Sequence, residues 1–218
     1  KFVLGAGPVT EGAVPTQPID IAMLQRLNDV ISEATTGFES YDYARALERT
    51  EAFFWWFCDD YLELVKTRAY DADEFAMSAR VALQRALSAM QRLFAPHIPF
   101  ATEEVWGWWQ HGSIHQSSWP TTNDVLSGCA LTDNFDQLLD ATCTVISAIR
   151  RTKTEAKVTQ KSVVEHVSVS ATTEQIALLK LTLTDVTNAG VAQVIEFSPH
   201  DAEYIATTAR LAPISDTN

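Results

Sequence analysis

Apolar residues first recur in this chain at helical spacing. Ile21, Leu24, Leu27, Ile31, Ala34 and Phe38 fall three and four apart after Asp20, and Gly37 weakens the end of the run. A second helix is predicted from Tyr41 to Tyr70. A third opens on DADE, where Asp71 can cap and Glu74 completes a capping box. Phe75, Ala79, Leu83, Ala86, Met90 and Leu93 continue it. FAPHIPF ends it, because Pro96 and Pro99 do not fit a helix interior. ATEEVWGWW restarts a helix, with Thr102 as its cap and Glu103 and Glu104 suited to its positive end. HGSIHQSSWPTTND reads as a loop. A fifth helix carries Phe135, Leu138, Leu139, Cys143, Ile146 and Ile149, and runs on into a basic stretch.

After Lys161 the period changes to two. VVEHVSVS reads as a half-buried strand, TTEQIALLKL as a short helix, and VAQVIEF and EYIATTARLA as two more strands. The predicted fold is mainly α: an antiparallel helical bundle followed by a small α+β appendage in the order β-α-β-β. Residues 1–19, interrupted by Gly and Pro, read as a linker, 20–161 as the bundle and 162–218 as the small C-terminal domain.

The run AFFWWFCDDYLELVKTRAY, Ala52 to Tyr70, carries more aromatic surface than one helix face can hide. With Phe53 as origin and about 100° per residue, Leu64, Phe57, Tyr61, Phe54, Leu47, Val65 and Cys58 share one stripe. Trp55 and Trp56 lie across the helix, among Arg45, Glu48, Arg49, Asp59, Glu63 and Lys66. Two readings of the tryptophans stay open: packing against a second neighbour, or a contact surface for a base or another domain.

Composition narrows the function classes. Of the 218 residues 46% are hydrophobic, enough for a real core, yet no apolar run is long enough to span a membrane. KFVLGAGPVT has neither an initiator Met nor the features of a signal peptide, so the sequence reads as part of a longer cytoplasmic chain. Cys58, Cys129 and Cys143 are widely spaced and read as reduced thiols, with neither a disulfide framework nor a zinc site. A net charge of −12 weighs against general nucleic-acid binding. Its distribution does not: IRRTKTEAKVTQK sets Arg150, Arg151, Lys153, Lys157 and Lys161 against Glu155 alone.

The patterns of an enzyme site are missing. There is no GxGxxG, GxxxxGK[ST] or HExxH. His111 and His115 are separated by Gly112 in a loop composition and read as solvated rather than metal-binding. Asp59–Asp60 and Glu103–Glu104 are sequence neighbours, which point about 100° apart on a helix and do not converge as an acid/base pair. No catalytic or metal-binding residue is assigned.

Two long phrases carry a resemblance. YDYARALERTEAFFWWFCDDYLELVKTRAY and LFAPHIPFATEEVW, with SIHQSSWP beyond it, closely resemble valyl-tRNA synthetases, class I enzymes. The likeness falls on the helical domain that follows the catalytic domain and covers roughly residues 1–165, with AIRRTKTEAKV at the bundle's end. It implies a part that binds the anticodon stem-loop of tRNA(Val), so that the full enzyme can attach valine to it using ATP and Mg²⁺. The HIGH and KMSKS signatures are absent, so this fragment is expected to catalyse nothing alone and to hold no cofactor. The family's heptad-rich helical arm is not visible after Val163, where strands stand instead. The implied partners are tRNA(Val) and the catalytic domain of the same chain, the implied state a monomer, with no membrane.

On that reading the candidate tRNA-binding residues are Arg45, Arg49, Trp56, Lys66 and Arg68 on the second helix. Arg150, Arg151, Lys153 and Lys157 hold the RNA backbone. Arg68 lies back toward the core stripe but near the helix end, where it is expected to snorkel outward. The alternative is a non-catalytic helical protein-interaction module that docks a partner through its two tryptophans.

Overall fold

The helical runs form where their periodicity puts them, but their ends lie elsewhere. A computed structural model describes residues 1–213; the last residues of the predicted appendage, 214–218, lie outside the described residues. A short α1 (Phe2–Gly5) leads to α2 (Pro18–Glu39), and the second predicted helix becomes α3 (Tyr43–Trp56), a π-helical turn (Phe57–Tyr61) and α4 (Leu62–Ala69). Then come α5 (Glu74–Phe94), α6 (Pro99–Trp106), α7 (Thr122–Leu126) and α8 (Phe135–Glu155). The rest is β1 (Val164–Ala171), α9 (Thr173–Leu181), α10 (Leu183–Gly190), β2 (Ala192–Pro199) and β3 (Ala206–Leu211).

Two compact units result: Lys1–Glu63 with Arg68–Phe135, and Leu64–Thr67 with Asp136 onward. The change of sequence period after Lys161 therefore marks a change of element. In packing, α8 groups with the sheet that follows it.

In the first unit α2 buries Ala22, Met23, Leu24 and Leu27, α3 buries Ala46 and Phe53, and the π turn buries Phe57 and Tyr61. The inner face of α5 is largely alanine: Ala76, Ala79, Ala82, Ala86 and Ala89 are all buried, which lets neighbouring helices approach closely. Residues 1–17 are anchored rather than loose. Ala6 and Pro15 are buried, and the backbone N–H groups of Thr16 and Gln17 donate to Ser78 Oγ.

Among the helix starts that differ from the sequence reading, three have a clear local cause. The cap of α5 is Asp73, whose carboxylate accepts from Ala76 N; Asp71 lies before it. Pro99 opens α6, so Thr102 sits inside the helix, buried, donating to Ile98 O and Pro99 O. The stretch read as a loop contains α7, started by a capping box between Thr121 and Asp124.

In the second unit β1 is central, parallel to β2 and antiparallel to β3, giving the order β2-β1-β3. A parallel pair needs a crossover, which α9 and α10 supply. The sequence reading contains only the first of these two helices. Gly190 ends α10 where an added Cβ would stand 3.1 Å from Ile149 Cδ1, so its smallness lets the helix close on α8.

Candidate functional site

Asp20 is the most constrained polar group of the first unit. It is fully buried near the start of α2, where its charge suits the positive helix end. Arg68 meets it with two guanidinium nitrogens, both at 2.9 Å; Tyr61 OH donates at 2.8 Å and Ser78 Oγ at 2.6 Å. Arg68 also donates to Phe75 O at 2.8 Å. With a relative exposure of 5%, Arg68 does not snorkel: its helical position on the core stripe is matched by a buried acid, and a paired charge stays inside. It is therefore part of the bundle's interior rather than of any surface that meets RNA.

Arg45 and Arg49 lie four apart on α3, both exposed on one face. Arg49 Nε pairs with Glu33 Oε2 of α2 at 2.8 Å. The Arg45 side chain has no hydrogen-bond or ion-pair partner among the described residues; its backbone N–H donates to the capping carboxylate of Asp42. Trp56 is half-buried. The Arg26 guanidinium lies 4.7 Å from its ring centroid, and the rings of Phe53 and Tyr61 flank it at 5.5 and 6.4 Å. One face of Trp56 is thus occupied by its own chain, while Trp55, 56% exposed, is the open tryptophan of the pair. Lys66 is exposed.

Further exposed aromatic residues stand at the other end of α3. Tyr41 is 80% exposed and Tyr43 49%, with ring centroids 6.4 Å apart. Phe38 packs on Tyr43, His97 and Trp119 at 5.3, 5.6 and 5.1 Å. Burial lowers the His97 pKa, and its buried Nε2 has no hydrogen-bond partner among the described residues. Phe100, at the start of α6, is 91% exposed. Apart from Phe38, which the first apolar stripe includes, the periodicity did not single these residues out, because they sit at helix ends and turns, where a stripe analysis has nothing to compare them with.

In the second unit the basic stretch divides. Lys153 is buried, donating from Nζ to Gln160 O and Gly190 O, both at 2.8 Å. Burial, with the nearby Arg150 charge, lowers its pKa. Lys153 follows Ile149 by one turn on the buried stripe of α8, a spacing that signals this inward position, so of the candidate residues it too is interior rather than exposed. Arg151 and Lys157 are exposed and Arg150 is half-buried. Lys157 takes a left-handed φ of 55° just past the end of α8.

The three cysteines are free thiols. Burial, reinforced by Asp59, raises the Cys58 pKa; burial also raises that of Cys129, against the opposing charge of Arg85. Among the described residues no three His, Cys, Asp or Glu side chains are grouped so as to hold a metal ion. No helix among them is long and apolar enough to cross a membrane.

Comparison with known proteins gives this surface a context. Residues 20–169 match the family described as the anticodon-binding domain of tRNA ligase. The valine–tRNA ligase of Thermobifida fusca (strain YX) is 43% identical over 217 residues, covering 98% of this chain and 24% of that protein. Those of Salinispora arenicola (strain CNS-205) and Cutibacterium acnes (strain DSM 16379 / KPA171202) are also 43% identical, covering 85% and 90% of this chain. The chain spans less than a quarter of the length of these relatives.

Proposed function

The chain belongs to the anticodon-binding domain family of tRNA ligases, and from that premise we propose that it holds the anticodon stem-loop of tRNA(Val) for a longer valine–tRNA ligase. The family match over residues 20–169 carries this reading and favours it over a helical protein-interaction module. In the whole ligase, valine is joined to its tRNA with ATP and Mg²⁺. This chain has no assigned part in that chemistry; it fixes the distal end of the RNA so that the acceptor end reaches the catalytic domain. The ligase works as a cytoplasmic monomer.

RNA loops are read by splaying bases onto aromatic side chains and hydrogen-bonding their edges, while cations hold the phosphates. The exposed members of the candidate set suit phosphate contact. They are Arg45 and Arg49 on α3, Lys66 on α4, and Arg151 and Lys157 at the end of α8. Trp56, packed by Arg26, Phe53 and Tyr61, remains a candidate only through the part of its side chain that stays exposed.

A salt titration of stem-loop binding tests the proposal. Affinity should fall steeply with rising salt, and the double change Arg151→Glu with Lys157→Glu should flatten the slope and weaken binding at low salt. A slope unchanged by the double change removes these two residues from the interface. Lys153 is a poor choice for charge reversal, because its loss would unseat the loop and the α10 end that it binds.

A further inference from the structure

A groove of about 230 Å³ opens beside the turn between α2 and α3, lined by Ser32, Glu33, Thr36, Gly37, Ser40, Asp42 and Arg45. Its acceptors are well defined. Glu33 spends one carboxylate oxygen on Arg49, and Asp42 spends one on the Arg45 N–H. The second oxygen of each has no partner among the described residues. An ionised carboxylate only accepts hydrogen bonds. The groove thus offers two open acceptors and one cation without a side-chain partner, Arg45.

The turn itself is unusual. Asp42 N donates to Gly37 O at 2.8 Å and Tyr41 N to Phe38 O at 3.2 Å, the paired bonds of a Schellman motif. The residue that must turn left-handed in this motif is usually glycine. Here it is Tyr41, with φ 62°. Its ring is 80% exposed, so burial does not repay the strained backbone. Tyr41 stands between Ser40 and Asp42, both of which line the groove.

Resting on the anticodon-binding reading, we propose that this groove takes one unpaired loop base that carries an exocyclic amino group. The amino group donates to Glu33 and Asp42, Arg45 donates to a ring acceptor or the adjoining phosphate, and the Tyr41 ring stacks on the base. A base offering only carbonyl oxygens toward the two carboxylates is disfavoured, because acceptor would face acceptor.

The test uses the full 218-residue chain and the valine tRNA anticodon stem-loop. Each amino-bearing loop base is replaced in turn by its amino-free counterpart: purine for adenine, 2-pyrimidinone for cytosine, hypoxanthine for guanine. Binding to the parent chain should weaken roughly tenfold at one loop position. That penalty should largely vanish in a Glu33→Ala, Asp42→Ser variant, in which Ser keeps the helix cap. Tyr41→Gly should weaken binding by roughly tenfold with no loss of thermal stability, since glycine relieves the left-handed strain. If the parent binds the stem-loop but no base replacement matters, or the penalty survives in the double variant, the groove assignment is wrong and the functional reading stands. A groove kept for a protein partner gives that same result. If the parent does not bind the stem-loop at all, both fall.

Discussion

A charged side chain near a helix end can be read as a surface group or as half of a buried pair, and Arg68 shows how the choice is made. Its place on the core stripe is visible in the sequence. Its partner is not, because Asp20 is 48 residues away and itself reads as the opening of a helix. Breaking a buried pair by deleting one member typically costs about 3–5 kcal/mol. Arg68→Ala should therefore lower the stability of the first unit by about that much, leaving Asp20 buried beside only Tyr61 and Ser78. Urea unfolding checks this; a loss near zero would mean that Arg68 is solvated after all. His97 makes a pH-dependent contribution. Burial lowers its pKa in the folded chain, so below the unfolded value of about 6.5 the unfolded chain takes up a proton that the folded chain resists. Stability should fall as pH drops through that window. His97→Gln should lose less stability than the parent between neutral and mildly acidic urea titrations.

At the scale of elements, what the sequence showed was periodicity. Six-residue stripes were enough to place α2, α5 and α8, and the alternation after Lys161 was enough for β1. Shorter elements left too little pattern. In α7 only Val125 is buried, and α10 carries apolar side chains only at Leu183, Val186 and Ala189. A capping pair, Thr121 with Asp124, was the available signal for α7. The π turn had no such signal, since it adds a residue to the turn without changing composition. Gly37 illustrates the difference between propensity and packing. As a glycine in the last turn of α2 it reads as a weak point, yet an added Cβ would stand 3.0 Å from Asp42 O and 3.1 Å from Ala46 Cβ. Gly37→Ala should therefore destabilise, by about 1–3 kcal/mol from overpacking, although alanine is intrinsically the better helix former. A thermal melt above that of the parent would show that the α2–α3 turn can yield.

For the whole molecule, the acidic balance and the RNA-binding proposal are compatible because charge is distributed unevenly. Arg68 and Lys153 are consumed inside the two units, which leaves fewer cations for RNA than the sequence suggested. Tyr41, Tyr43 and Phe100, which the sequence did not single out as a surface, are exposed aromatic residues of the first unit, and the proposal adds base stacking there to the phosphate contacts of the cations. The fold was legible because long-range burial follows local periodicity; the candidate site was less so, because exposure and pairing depend on residues far apart in sequence. The central claim is that this chain reads an anticodon loop. The most direct measurement is an equilibrium titration of the 218-residue chain with the valine tRNA anticodon stem-loop and with the same stem bearing another anticodon. The account predicts tighter binding to the valine anticodon by roughly tenfold or more at low salt, as one or two stacked and hydrogen-bonded bases would give. Equal affinity for the two stem-loops, or no binding to either, would contradict it.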